Sequence, residues 1–233
     1  MSIIVTGGAS GLGESIVIEL LEKGEKVIFT FCKSENRAKQ LCEKYKNATS
    51  FFCDFTSPDS VNIFCNSIAN FSPKALVNNA FSNLEKKHFD ATDITIFENN
   101  FHHNIVPVIK ITQSSLAQFK AQKTGKIITI LSSAIKQPPI GWSEYCAEKN
   151  YLKSLMQSIS LEYPQYGITC NCISPSFMPT ALNSEIDERV IEMMIKKHPL
   201  KQLLSEKEVA KTVVYLLLEA SNHVNGQNLF IGY

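Results

Sequence analysis

Thr6-Gly7-Gly8-Ala9-Ser10-Gly11-Leu12-Gly13 is the stretch whose reading decides the fold. It leaves the apolar run Ile3–Thr6 and opens Gly11–Lys23, where Leu12, Ile16, Val17, Leu20 and Leu21 form one helical stripe that stops at Gly24. A strand, a glycine loop and a helix in that order make a cradle for phosphate. Gly7 permits the tight turn, Gly11 lets the backbone approach a pyrophosphate, and Gly13 lets helix and strand pack closely. The free N–H groups and positive dipole end of the helix then face the anion.

Outward from that loop, short apolar runs alternate with helical patterns along the chain. The strand candidates are Ile3–Thr6, Lys26–Phe31, Ser50–Cys53, Ala75–Asn78, Lys126–Ser132, Ile168–Ile173 and Asn228–Ile231. Most are too apolar to face solvent on either side, which suits parallel strands covered on both faces. Ser57-Pro58-Asp59 opens one helix with an N-cap serine and a first-turn proline. A long helix is predicted from about Asp93 to Ala121, with Pro107 as a kink or a later start. Another runs from about Trp142 to Tyr163, and Ser205-x-x-Glu208 is a capping box that opens the last. The expected architecture is a single-domain α/β Rossmann fold over residues 1–233, a doubly wound, seven-stranded parallel sheet with helices on both faces. The segment 175–204 stands out as a long insertion after the sixth strand. Insertions at carboxyl ends of strands line ligand crevices, so a substrate lid is expected there.

Composition narrows the function classes. A formal charge of +1 gives no basic excess for a nucleic-acid face, so no nucleic-acid partner is expected. No apolar stretch approaches the roughly 18 residues of a membrane helix, and no signal peptide precedes the first strand. Seven scattered cysteines read as reduced thiols, which points to the cytoplasm. Cys170-x-Cys172 lacks the second pair or histidine of a metal site, so no metal is expected.

Tyr145-Cys-Ala-Glu-Lys149 puts a phenol and an ammonium one turn apart on one helix face. A tyrosine with its ordinary pKa of about 10 exchanges protons poorly at neutral pH, and a neighbouring cation makes it a better acid. Tyr145 can then give a proton to a developing alkoxide or take one from an alcohol. His102 and His103 lie on the long helix but are discounted for that task, because Tyr145 and Lys149 already fill it.

The end of the second strand bears on the dinucleotide. NAD sites place a carboxylate there for the ribose 2′-OH. Phe31 holds that position, and Lys33, Ser34 and Arg37 follow, groups able to hold a 2′-phosphate. Glu35 falls later, on the helix. NADP(H) is therefore favoured over NAD(H).

Taken in order, these motifs resemble the short-chain dehydrogenase/reductase family. The resemblance rests on the T-G-x-x-x-G-x-G spacing of Thr6–Gly13, Asn78-Asn79-Ala80, Asn104, the hydroxyls Ser132-Ser133, Tyr145-x-x-x-Lys149 and Asn171-x-x-x-Pro175 with Thr180. It implies hydride transfer between a nicotinamide and a carbonyl or alcohol carbon. It assigns the catalytic set to Asn104, Ser132, Tyr145 and Lys149, with Ser133 as the alternative to Ser132. Cofactor contacts are implied at Thr6, Gly7, Ser10, Gly11, Leu12 and Gly13. Lys33 and Ser34, Asp54 and Phe55 by the adenine, Asn79 and Ala80, Tyr145 and Lys149, and Pro175 and Thr180 by the carboxamide complete the set. Two family glycines are replaced, by Phe81 and Ser176, and Ser10 stands where many NADP-using members carry a cation. Members acting on 3-oxoacyl-acyl-carrier-protein substrates are the most similar, and a homotetramer or dimer joined through the two long helices is implied. The alternative reading is a relative that binds cofactor without turnover, as a redox sensor or scaffold. Sugar-nucleotide epimerisation fits less well, because it needs a larger substrate lobe.

Overall fold

The structure is a computed structural model that describes residues 1–82, 86–178, 188–197, 199–220 and 222–232. Among these, β1 (Ser2–Val5), β2 (Val27–Phe31), β3 (Ala48–Phe52), β4 (Pro73–Asn78), β5 (Gly125–Ile130), β6 (Ile168–Pro175) and β7 (Asn228–Ile231) form one sheet. The order is β3-β2-β1-β4-β5-β6-β7, and every neighbouring pair is parallel. Each expected strand is present, within a few residues of its expected ends.

Helices α1 (Gly11–Glu22), α2 (Glu35–Lys44) and α3 (Pro58–Phe71) alternate with the first four strands. After β4 come α4 (Ile94–Asn100), a π-helical turn (Phe101–Ile105), α5 (Val106–Gln122), α6 (Ser143–Glu162), α7 (Glu188–Lys197) and α8 (Glu206–Leu218). Alternation along the strands sends Ile3 and Val5 into one core with α1 and α8, and Ile4 into the other with α3, α5 and α6. The sheet is thus covered on both faces, which explains why its strands read as unbroken apolar runs. No described helix is long and apolar enough to cross a membrane.

Local signals behave as their chemistry requires. Ser57 caps α3 by accepting from Ser60 N–H, and Ser205 and Glu208 close a reciprocal capping box on α8. The expected long helix Asp93–Ala121 is instead two α-helices joined by the π turn. Pro107 is the physical reason: it has no N–H for the carbonyl one turn back, and the wider π turn absorbs that loss. Helix α7 lies inside the expected lid and was not foreseen, although Val190, Ile191, Met193 and Met194 have helical spacing.

The sheet order reverses direction between β1 and β4. Carboxyl ends of strands splay apart at such a switch point, and this is where open α/β sheets bind ligands.

Candidate active site

A cavity of about 1270 Å3 opens at that switch point. The glycine loop lies at one end and Ser132, Tyr145 and Lys149 at the other, so groups more than a hundred residues apart in sequence line one space.

The glycine loop has the form an extended phosphate group needs. Gly11 has φ +54°, and a side chain placed there would meet only Glu206 Oε1, at 3.5 Å, so its backbone is open to the cavity. Gly13 is the opposite case. A Cβ there would lie 2.0 Å from the Gly7 carbonyl oxygen, so helix and loop close only around glycine. Ser10, Gly11, Leu12 and Gly13 all line the cavity with Gly7. Thr6 does not. It is fully buried, and its hydroxyl accepts from the backbone N–H groups of Asn79 at 2.9 Å and Ala80 at 3.0 Å. Its task is to tie the end of β4 to the end of β1, which presents Asn79 and Ala80 to the cavity. With those bonds in place the turn holds its shape with Phe81 in the family glycine's position. Ser176 is accommodated differently: Gly232 supplies the room, since a Cβ there would fall 1.9 Å from Ser176 Oγ.

At the end of β2, Lys33 and Ser34 line the cavity and no carboxylate stands there. Arg37 is withdrawn from the expected group of cations. Its Nε donates to Glu14 Oε1 at 2.8 Å, its Nη2 pairs with the same oxygen, and its Nη1 donates to Gln40 at 3.1 Å. Glu35 begins α2 and pairs with Lys39 at 2.8 Å. Asp54 and Phe55 border the same end, and the Asp54 carboxylate accepts from Thr56 N and Oγ1, which holds its pKa low.

The other end is assembled from side chains. Ser132 follows β5 and its Oγ accepts from Ala134 N–H at 3.2 Å. Ser132 and Ser133 both line the cavity with Tyr145, and of the two Ser132 is the one that acts on the Tyr145 pKa. Tyr145 sits in the first turn of α6, 7% exposed, against the edges of Phe81 and Trp142 with ring centroids 5.2 and 5.4 Å away. Burial pushes its pKa up to about 12, while the nearby Ser132 hydroxyl pulls the other way. Lys149, one turn on, is buried. Its Nζ donates to the Ile130 carbonyl at 3.1 Å and lies 4.0 Å from the centre of the Phe81 ring. Burial lowers its pKa to about 8, and Glu148 opposes that shift.

Asn104 does not reach the cavity. It is fully buried in the π turn, where Oδ1 accepts from Ser82 N at 2.8 Å and Ser82 Oγ at 3.0 Å, and Nδ2 donates to Glu148 Oε2 at 2.9 Å. It positions the site without touching what binds there. Pro175 lines the cavity, and Thr180 lies outside the described residues. From the expected lid, Ser176, Phe177, Met178 and Met194 of α7 reach the cavity. Cys170 and Cys172 are buried in β6 within the apolar core.

Sequence reasoning missed Phe81, Trp142 and Glu148. Phe81 stood out as a replaced glycine, and Glu148 stood inside the Tyr145-x-x-x-Lys149 motif, but nothing local says that either side chain packs here.

Comparison with known proteins agrees with this geometry. A 3-oxoacyl-[acyl-carrier-protein] reductase of Buchnera aphidicola is 28% identical over 232 residues, covering 98% of this chain and 94% of that protein. The reductase of the same name from Staphylococcus aureus is 26% identical over 245 residues, covering 99% and 96%. Among solved structures, "ElxO with NADP Bound" superposes with a TM-score of 0.88 at 26% identity, covering 99% of this chain and 96% of that one. The family model described as short chain dehydrogenase matches residues 1–191. The chain belongs to the short chain dehydrogenase family.

Proposed function

We propose that this protein catalyses NADPH-dependent reduction of a ketone, of the 3-oxoacyl thioester type, to the alcohol. The observation that carries the reading is the single cavity that joins the glycine cradle to the Ser132–Tyr145–Lys149 cluster. The reductases it resembles support the substrate class, and the NADP-bound neighbour supports the cofactor.

In this reading Gly7 and Ser10–Gly13 hold the pyrophosphate, Lys33 and Ser34 the 2′-phosphate, and Asp54 and Phe55 the adenine. Asn79, Ala80, Pro175 and Thr180 hold the nicotinamide half, with Lys149 on the ribose hydroxyls. The bound nicotinamide supplies a hydride to the carbonyl carbon. Ser132 donates a hydrogen bond to the carbonyl oxygen and orients it towards Tyr145. As negative charge develops on that oxygen, the Tyr145 phenol gives its proton, which completes the alcohol. Burial makes the phenol a weaker acid than a free tyrosine, opposite to the effect expected of its neighbouring cation. The Lys149 ammonium offsets the phenolate left behind and helps it to recover a proton.

The segment 175–204 acts as the substrate lid, with Met178 and Met194 as its apolar inner face. The subunits assemble as dimers or tetramers through the long helices. Phe101 on the π turn and Tyr151 on α6 are solvent-facing here and meet at 5.3 Å, an aromatic pair suited to such a contact. We place the protein in the cytoplasm, in keeping with its seven free thiols.

The test is fluorescence titration with NADPH and NADH, followed by turnover of a 3-oxoacyl thioester. NADPH-dependent turnover that is lost in Tyr145→Phe is expected. Failure to bind either dinucleotide would overturn the reading.

A further inference from the structure

We propose that Glu14 is a specificity-determining residue: it competes with the cofactor's 2′-phosphate for the guanidinium of Arg37, and so limits the preference for NADPH over NADH. The proposal rests on the reading above in which Lys33 and Ser34 hold that phosphate.

The Glu14–Arg37 pair stands directly behind that site. Ser10 lines the cavity, and Glu14 follows one turn later, its backbone N–H donating to the Ser10 carbonyl at 3.1 Å. Lys33 and Ser34 line the cavity after the end of β2, and Ser34 is the N-cap of α2. Arg37 lies in the first turn of that helix, three residues on, where side chains share a face with the cap. The pair therefore ties the start of α1 to the start of α2. On each helix it sits about one turn, roughly 5.4 Å, behind a residue that faces the ligand.

The contacts occupy the whole guanidinium. Arg37 Nε donates to Glu14 Oε1 at 2.8 Å, Nη2 pairs with the same oxygen, and Nη1 donates to Gln40 Oε1 at 3.1 Å. A guanidinium fork grips a carboxylate or a phosphate in the same bidentate way, so these two anions are direct rivals for it. The Arg37 side chain is 46% exposed and that of Glu14 19%, which makes the arginine the partner free to turn. Meanwhile Lys33 is the cation that the loop after β2 brings to the cavity wall, and Ser10 and Ser34 add hydroxyls. A released Arg37 would add a second cation for the 2′-phosphate. The ribose 2′-OH of NADH offers it no charge, so the gain falls on one dinucleotide. Withholding a contact in this way changes selectivity without altering the rest of the site.

The test is fluorescence titration of NADPH and NADH against wild type, Glu14→Ala, Arg37→Met and the double variant. Alanine keeps α1 helical and removes the rival acceptor. Glu14→Ala is expected to tighten NADPH binding about tenfold, the worth of one charge-assisted contact, with NADH near wild type. In the double variant that gain should vanish, leaving NADPH affinity equal to that of Arg37→Met. The dependence on Arg37 separates competition from plain repulsion by the Glu14 charge. Loss of a purely structural tie between α1 and α2 would instead weaken both dinucleotides alike. An NADPH-to-NADH ratio unmoved in Glu14→Ala, or a gain that persists without Arg37, would overturn the proposal. If Glu14→Ala does not fold, Glu14→Gln, which keeps the shape and loses the charge, enters the same comparison with a smaller gain expected. A wild type that binds NADPH while the ratio stays fixed in the variant counts against this proposal alone. A wild type that binds neither dinucleotide overturns the proposed function and this inference with it.

Discussion

At the glycine-loop end of the cavity the groups that line it come from one short stretch of sequence, Gly7 and Ala9–Gly13. At the hydride end they are side chains carried by the loop after β4, the end of β5 and α6. The first end works by leaving atoms out: Gly13 exists because a methyl group would strike the Gly7 carbonyl. The second works by packing atoms in, with Tyr145 and Lys149 buried beneath Phe81 and Trp142. A cradle of backbone dipoles is legible in residue spacing. A buried proton-transfer cluster depends on what each side chain meets.

Substitutions should therefore separate the two ends. Tyr145→Phe removes the transferable proton and keeps the ring against Phe81 and Trp142. Turnover should fall on the order of 10²–10⁴-fold, with NADPH titration close to wild type. A matching loss of binding would show that the ends are not separable. Next in size, Gly13→Ala forces a Cβ into the Gly7 carbonyl, and both dinucleotides should bind weakly. Crowding of that kind costs about 1–3 kcal/mol, visible as a lower Tm. A variant with wild-type Tm and wild-type NADPH binding would contradict the packing at Gly13.

Lys33→Asp sharpens the comparison within the adenosine end. It should weaken NADPH binding on the order of 10–100-fold and spare NADH, since one charge-assisted contact to phosphate is removed. Lys33 is exposed, so the effect should shrink as salt is added. Equal loss for both dinucleotides would move the 2′-phosphate site elsewhere. The smallest effect is expected from Phe81→Leu, which keeps an apolar cover over Lys149 but removes the ring face. The ammonium loses about 0.5–2 kcal/mol of cation–π stabilisation. Burial already holds the Lys149 pKa below its ordinary value, so this further loss moves its titration to lower pH still. The alkaline limb of kcat/KM is the measurement. An upward shift would mean that the ring excludes the partner charge instead of stabilising the ammonium.

How far these ends could be read beforehand follows the same division. All seven strands, the glycine loop and the Tyr145–Lys149 pair were legible, because each depends on periodicity or spacing over a few residues. Pro107 announced a disturbance in the long helix, yet a proline is compatible with a kink, a break or a π turn, and packing selects among them. The pairing of Arg37 with Glu14 was not legible, because the two lie 23 residues apart on different helices. Asn104 was legible as an interior helix asparagine with a task, but no local sign says that Glu148 and Ser82 would bind its side chain.

By itself, then, the sequence determined the parallel sheet, the phosphate cradle and the residue types for proton transfer, all of which follow from backbone geometry and short-range order. Only the tertiary structure decided that Ser132 and Tyr145 line one cavity, that Phe81 lies over Lys149, and that Glu148 grips Asn104. The physical reason is that these are contacts between buried side chains from different elements. The energy of such a contact depends on burial and partners that exist only once the chain has closed around them.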